Sequence, residues 1–315
     1  MLLLLVTACG NAVVAPTSAP PTATLLPPSP IATPPTPIPA TPTSAPATSS
    51  AGLRVDIGGR SLQLYCSGPQ NPGDPTVILE SGLGGDHSSW ELVQPALADQ
   101  MRVCSYDRAN LGASDPAPAP RTADDAAADL HGLLAAAEIP GPYLIAAHSF
   151  GGLLARVFVD RYPEEVAGVV LIDAVHPDWW QRALAALPPA SPDESRRLQN
   201  FRRFLESDVA DPSRNAEGLD IPATADEVRA AADFGDRPLI VLSAGIFDVV
   251  APGLPAEVES QLRALFQQEL PQELATLSSD STVATVPDSG HAIPRQRPDI
   301  VVLAIQAVRD AAGAP

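Results

Sequence analysis

The chain contains no lysine. Its 19 basic residues are all arginine, set against 37 acidic residues, for a formal net charge of −18. Nucleic-acid binding needs a basic face, and this composition argues against one. The acidity favours solubility and says little about substrate. Charge of either sign is missing before Arg54. Twelve of the 36 prolines fall between Pro16 and Pro46, among threonine, serine and alanine. Such a stretch cannot bury a core, so residues 10–53 read as an extended, disordered linker. Long hydrophobic runs are also lacking. The one at the start, Met1 to Val6, is too short to span a bilayer. The five histidines show no metal-ligand spacing, so no zinc site is expected. No internal repeat is visible.

What remains, 54–315, has the size of a single α/β domain. Apolar, β-rich runs alternate with helical patterns, which predicts a mostly parallel sheet with helices on both faces. The predicted strands are 53–57, 61–66, 76–80, 101–106, 142–147, 168–173, 238–243 and 282–286. Helical signals cover Ser88 to Leu97, Thr122 to Ala137, Phe150 to Tyr162 and Pro298 to Ala311. Thr122 with Asp125 has the form of a capping box. Between the sixth and seventh strands an insertion, 178–236, carries Trp179, Trp180 and two arginine pairs. Its charged, helical character suggests a cap over the carboxyl edge of the sheet, where α/β folds bind ligands.

The chemistry concentrates at two places. Ala147-His148-Ser149-Phe150-Gly151-Gly152 follows the apolar run Tyr143 to Ala146 and precedes a helical segment. A serine on a tight strand-to-helix turn needs small neighbours, because the backbone there is strained. Ala147 stands where such turns usually carry glycine. At the far end, a last strand is followed by Ser289-Gly290-His291. A serine hydroxyl is a poor nucleophile at neutral pH and needs a base, which in turn needs an acid to fix its tautomer. His291 is the candidate base.

Together these motifs resemble the α/β-hydrolase superfamily over nearly all of 54–312. The resemblance implies an α/β-hydrolase fold: an eight-stranded, mostly parallel sheet with a helical cap between strands six and seven. It implies a serine hydrolase acting through an acyl-enzyme, with Ser149 as nucleophile, His291 as base and no cofactor. Two acids fit the family's positions: Asp173 at the tip of strand six, taken as the triad acid, and its rival Asp248, just past strand seven. The oxyanion donors would be the amides of Phe150 and of Leu83, the latter in the glycine-rich loop Glu80 to Gly85. Tyr106 to Ser114 is similar to the family's Asp-Arg-x-Gly-x-Gly-x-Ser loop and would order loops near the site. Asn110 replaces a glycine there and tolerates left-handed angles. Trp179 and Trp180 could wall an acyl pocket or pin the cap to the core.

In this superfamily strands two and four are neighbours, so Cys66 and Cys104 would form a disulfide in an exported protein. The third cysteine, Cys9, closes Val6-Thr7-Ala8-Cys9, which resembles a bacterial lipobox without the usual basic segment before it. Residues 1–9 would then be a lipoprotein-type signal segment, with Cys9 lipidated and the domain tethered at the bacterial surface. The membrane would be met only through that anchor; simple secretion is the alternative. A small-molecule carboxylic ester is the expected substrate. A prolyl-type aminopeptidase, with cap acids such as Glu194 or Glu206 receiving the amine, and a non-catalytic surface-tethered binding module are the alternatives.

Overall fold

The computed structural model describes residues 52–248 and 254–313. The signal segment, Cys9 and almost all of the linker lie outside these residues. Eight strands form one sheet: β1 (Leu53–Asp56), β2 (Ser61–Ser67), β3 (Thr76–Glu80), β4 (Val103–Asp107), β5 (Tyr143–His148), β6 (Val166–Ile172), β7 (Leu239–Ala244) and β8 (Ser281–Val286). Their order is β1-β2-β4-β3-β5-β6-β7-β8. The β1–β2 and β2–β4 pairs are antiparallel, and every other pair is parallel.

The middle strands are mostly apolar because both of their faces are covered. Along β5, Ile145 and Ala147 face one buried cluster, and Leu144 and Ala146 face the other. The first cluster packs under α1 (Ala123–Ala136) and α2 (Gly151–Arg161). The second packs under Trp90, Leu97 and α8 (Pro298–Ala311). Thr122 and Asp125 close a capping box at the start of α1.

Between β6 and β7 come α3 (Trp179–Ala185), α4 (Arg196–Arg203), a π-helical turn Phe204–Asp208, a 3-10 turn Pro212–Arg214 and α5 (Ile221–Ala230). The last of these returns to the layer on the sheet. Its Thr224 hydroxyl accepts from Ala123 N–H, and its Glu227 carboxylate accepts from Asp124 N–H, satisfying free amides at the start of α1. Between β7 and β8 lie α6 (Ala256–Ala264), a π-helical turn Leu265–Glu269 and α7 (Leu270–Ala275).

One expected helix is broken. Ser88 to Leu97 forms a 3-10 turn, His87–Trp90, and a single helical turn, Gln94–Leu97. Pro95 has no N–H to donate back to Glu91, so a continuous helix cannot pass through it. The fourth strand also starts two residues later than expected, because Met101 N–H is held by Leu97 O.

Cys66 and Cys104 face each other in the β2–β4 register and are joined by a disulfide, with Cα atoms 4.1 Å apart. The bond closes a loop spanning 38 positions. Reducing it, or replacing both cysteines by serine, should lower unfolding stability by about 2–4 kcal/mol in denaturant titration. Under denaturing, non-reducing conditions, alkylation followed by mass measurement should leave both thiols unmodified.

Candidate functional site

Ser149 directly follows β5 with φ of 54°, in the left-handed region that costs a non-glycine residue energy. The surroundings hold it there. Its N–H donates to Ile172 O, and its carbonyl accepts from Gly152 and Val175. The small residues after it are required by contact. A Cβ on Gly151 would lie 2.6 Å from Ser81 O, and one on Gly152 would lie 2.6 Å from Ala174 Cβ. Ala147 is fully buried, and its methyl is accommodated in the core.

His291 stands beside this serine. Its Nε2 is 2.9 Å from Ser149 Oγ, and its Nδ1 is 2.6 Å from Asp173 Oδ2. The other carboxylate oxygen of Asp173 accepts from Ala244 N–H at 2.9 Å, so the end of β7 fixes the acid. Asp248 occupies a different place. It is exposed, and its Oδ1 accepts from the main-chain N–H of His291 at 2.8 Å rather than from the ring. A Cβ on Gly290 would come 1.9 Å from the Asp248 carboxylate, so a side chain there would have to displace it.

The opposite side of the histidine loop is held by His148, whose Nε2–H donates to His291 O at 2.8 Å. That bond requires a proton on Nε2 of His148. Burial pushes its pKa down to about 4, and the nearby His291 ring acts in the same direction.

The loop after β3 lies directly against the serine: a Cβ on Gly82 would come 3.1 Å from Ser149 Cβ. Beneath this loop sits a buried ionic cluster. Arg108 donates to Ser81 O at 2.7 Å and to Gly82 O at 2.6 Å, and also to the Glu80 carboxylate. Its Nε and second amino group grip Glu217 at 2.6 and 2.8 Å. Tyr106 O–H donates to Glu80. Burial works against the Arg108 charge, but Glu217 and Glu80 outweigh it and hold its pKa above the ordinary value. Burial raises the pKa of Glu80, partly offset by Arg108. Asn110, with φ of 74°, donates from its side chain to Glu217 O at 3.0 Å. Glu217 did not stand out in the sequence: no motif surrounds it, and its partner Arg108 lies 109 positions away.

Over Ser149 opens a cavity of about 480 Å³. Leu83, Phe150, Asp173 and His291 share its wall with Trp179, Phe201, Phe204, Phe247 and Phe266. Trp179 lines the cavity. Trp180, a step of about 100° around the same helix, is instead buried in the core with the Arg229 guanidinium 5.8 Å over its ring. The cap acids Glu194 and Glu206 do not line the cavity. Glu194 is tied to Arg202 at 2.6 Å. Asp208 does line it, with Arg203 and Arg214 at 3.9 and 3.6 Å.

Among the described residues, Asp86, His87 and Asp107 group ligand-type atoms within 4.8 Å of one another. Those atoms already serve the protein. Asp107 accepts from the His87 N–H and Ala113 N–H and pairs with His87 Nδ1, while Asp86 caps the turn at Ser88. No helix among the described residues is long and apolar enough to cross a membrane.

The sequence model of the alpha/beta hydrolase fold family matches residues 75–233. The chain belongs to that family. Protein YqjL of Bacillus subtilis (strain 168) is 28% identical over 230 residues, covering 73% of this chain and 81% of YqjL. RutD of Pantoea ananatis (strain LMG 20103) is 36% identical over 107 residues, covering 34% of this chain and 38% of RutD. Among solved structures, a thermophilic esterase from Thermogutta terrifontis superposes with a TM-score of 0.53 at 21% identity, covering 83% of this chain and 98% of that one. An epoxide hydrolase from metagenomes of hot environments gives a TM-score of 0.55 at 18% identity, covering 82% and 97%. At these identities the structural likeness concerns the fold alone.

The His148 shift has a consequence for acid stability. The unfolded chain takes up this proton near the ordinary histidine value of 6.5, whereas the folded protein resists it until about 4. Stability should therefore be unaffected by this group above pH 6.5 and fall as pH drops from there towards 4. Denaturation midpoints measured across that window should show the decline. His148→Gln, which retains an N–H donor but does not titrate, should flatten it.

Proposed function

We infer that this protein is a serine hydrolase that cleaves carboxylic esters with apolar acyl groups through an acyl-enzyme. The observation that carries this reading is the placement of His291 between Ser149 Oγ and Asp173 Oδ2, at 2.9 and 2.6 Å, on the wall of an aromatic-lined cavity. Ser149 Oγ attacks the ester carbonyl while His291 Nε2 takes its proton. Asp173 holds the opposite nitrogen protonated and balances the imidazolium charge. The tetrahedral oxyanion rests on the amides of Leu83 and Phe150. His291 then returns the proton to the departing alcohol. Water, activated by the same nitrogen, cleaves the acyl-serine bond and releases the acid.

The aromatic wall favours an apolar acyl group over a charged one. An aminopeptidase would need a free carboxylate for the substrate's amine. Asp208 is the cap carboxylate in the cavity wall, and it already faces two arginines. A non-catalytic binding module would have no use for the hydrogen-bonded chain from carboxylate to hydroxyl. We further propose that the chain is exported and held at the bacterial surface by lipid on Cys9. The disulfide supports an oxidising compartment, and two or more acyl chains would anchor stably.

A panel of p-nitrophenyl esters beside proline anilides tests the reaction class. Ester turnover should dominate, and Ser149→Ala should lower it on the order of 10³-fold or more. Asp173→Asn should cost far more rate than Asp248→Asn; the reverse order would reassign the acid to Asp248. Survival of full activity in Ser149→Ala would remove the nucleophile assignment. For the anchor, Cys9→Ser should move the protein from the membrane fraction of its host into the medium.

A further inference from the structure

Glu217 belongs to the segment between β6 and β7, shortly before α5, yet it is only 1% exposed and its carboxylate reaches into the loop after β3. It accepts the Gly84 N–H at 2.7 Å and both donors of the Arg108 fork. This arrangement has a geometric effect on the residue between Gly82 and Gly84. A trans peptide is planar, so the carbonyl and N–H of one unit point in opposite directions. Arg108 holds the carbonyl of Gly82, which is in the same peptide unit as the N–H of Leu83. The Leu83 N–H must therefore point away from Arg108. In the next unit Glu217 holds the Gly84 N–H. Two consecutive peptide units are thus pinned from one side by a single ion pair. Gly84 sits at φ of 71°, a conformation that would otherwise leave this turn free to reorient.

We propose that Glu217 is the positioning residue of the oxyanion hole: it locks the Leu83 amide towards the reacting carbonyl and makes that donor depend on docking of the cap segment. The inference rests on the serine-hydrolase reading above. Glu217 touches no reacting atom. It acts through the backbone of Gly84 and through Arg108, which without it would keep Glu80 as its carboxylate partner and would no longer be held against the cap.

Loss of such a lock should appear in turnover and not in substrate binding, because the oxyanion exists only along the reaction. Glu217→Gln keeps the shape but disrupts the pairing with the Arg108 fork. Its kcat for a p-nitrophenyl ester should fall about 10- to 100-fold, below the 10²- to 10³-fold expected for losing a donor outright. KM should change less than about 2-fold. The rate of fluorophosphonate labelling at Ser149 should fall in parallel, since the phosphoryl oxygen occupies the same donors. Thermal melting measured alongside separates this effect from unfolding. If Glu217→Gln does not fold, Asn110→Gly serves instead: it keeps the left-handed backbone and removes only the side-chain bonds to Glu217 O and Ala117 N–H. It should give a smaller fall of the same kind.

An active, labelled wild type with an unchanged kcat in the folded variant would overturn this inference and leave the hydrolase reading standing. So would a loss confined to KM. A wild type that neither labels at Ser149 nor cleaves any ester would overturn both.

Discussion

A serine held in the left-handed region at the junction of β5 and α2 sets terms for everything around it. The backbone can turn there only if its neighbours are small, and the contacts at Gly151 and Gly152 show how little room exists. The same turn projects the hydroxyl above the sheet edge. It leaves the Phe150 amide at the start of α2 and brings Gly82 of another loop into contact. The strain at this residue is balanced by three main-chain hydrogen bonds, to Ile172, Gly152 and Val175. Two of these partners lie at or just past the end of β6, and the third is in the first turn of α2. The sheet order, with β5 flanked by β3 and β6, is therefore what allows the turn to exist.

Around that point the protein uses buried charge to fix loops that have little apolar surface of their own. Arg108 satisfies two carboxylates and two carbonyls at once. A buried ion pair of this kind adds little to net stability, because desolvation offsets the attraction, but breaking it by removing one partner is costly. Its value here is orientation. Three segments distant in sequence are given a single arrangement: the loop after β3, the loop after β4 and the approach to α5. The histidine loop is treated in the same way, with Asp248 on its N–H and His148 on its carbonyl.

Much of this was legible in the chain. The strand and helix rhythm revealed the parallel sheet, because central strands must be apolar on both faces. The neighbourhoods of Ser149 and His291 were local patterns and could be read locally. The choice between Asp173 and Asp248 could not, since both lie just past a strand end. What separates them is the path of the loop, which turns one carboxylate to the ring and the other to the backbone. Trp179 and Trp180 were equally ambiguous, as helical phase alone decides which faces the cavity. Glu217 was invisible because its meaning lies in partners contributed by remote segments. The helix expected over Ser88 to Leu97 failed for a local reason, the missing N–H of Pro95.

The disulfide sits where the sheet changes from parallel to antiparallel pairing, and this has a mechanical meaning. Any tension on the chain preceding residue 52 enters the sheet at the edge strand β1. The β1–β2 hairpin is loaded so that its pairs open one after another, starting at Leu53 and Leu64. Such unzipping needs little force at each step. It can run through the hairpin and along β2 only as far as Cys66, where the covalent link to β4 stops it. Strands β5 and β6, which lead into Ser149 and Asp173, are thereby shielded from a pull that the edge absorbs.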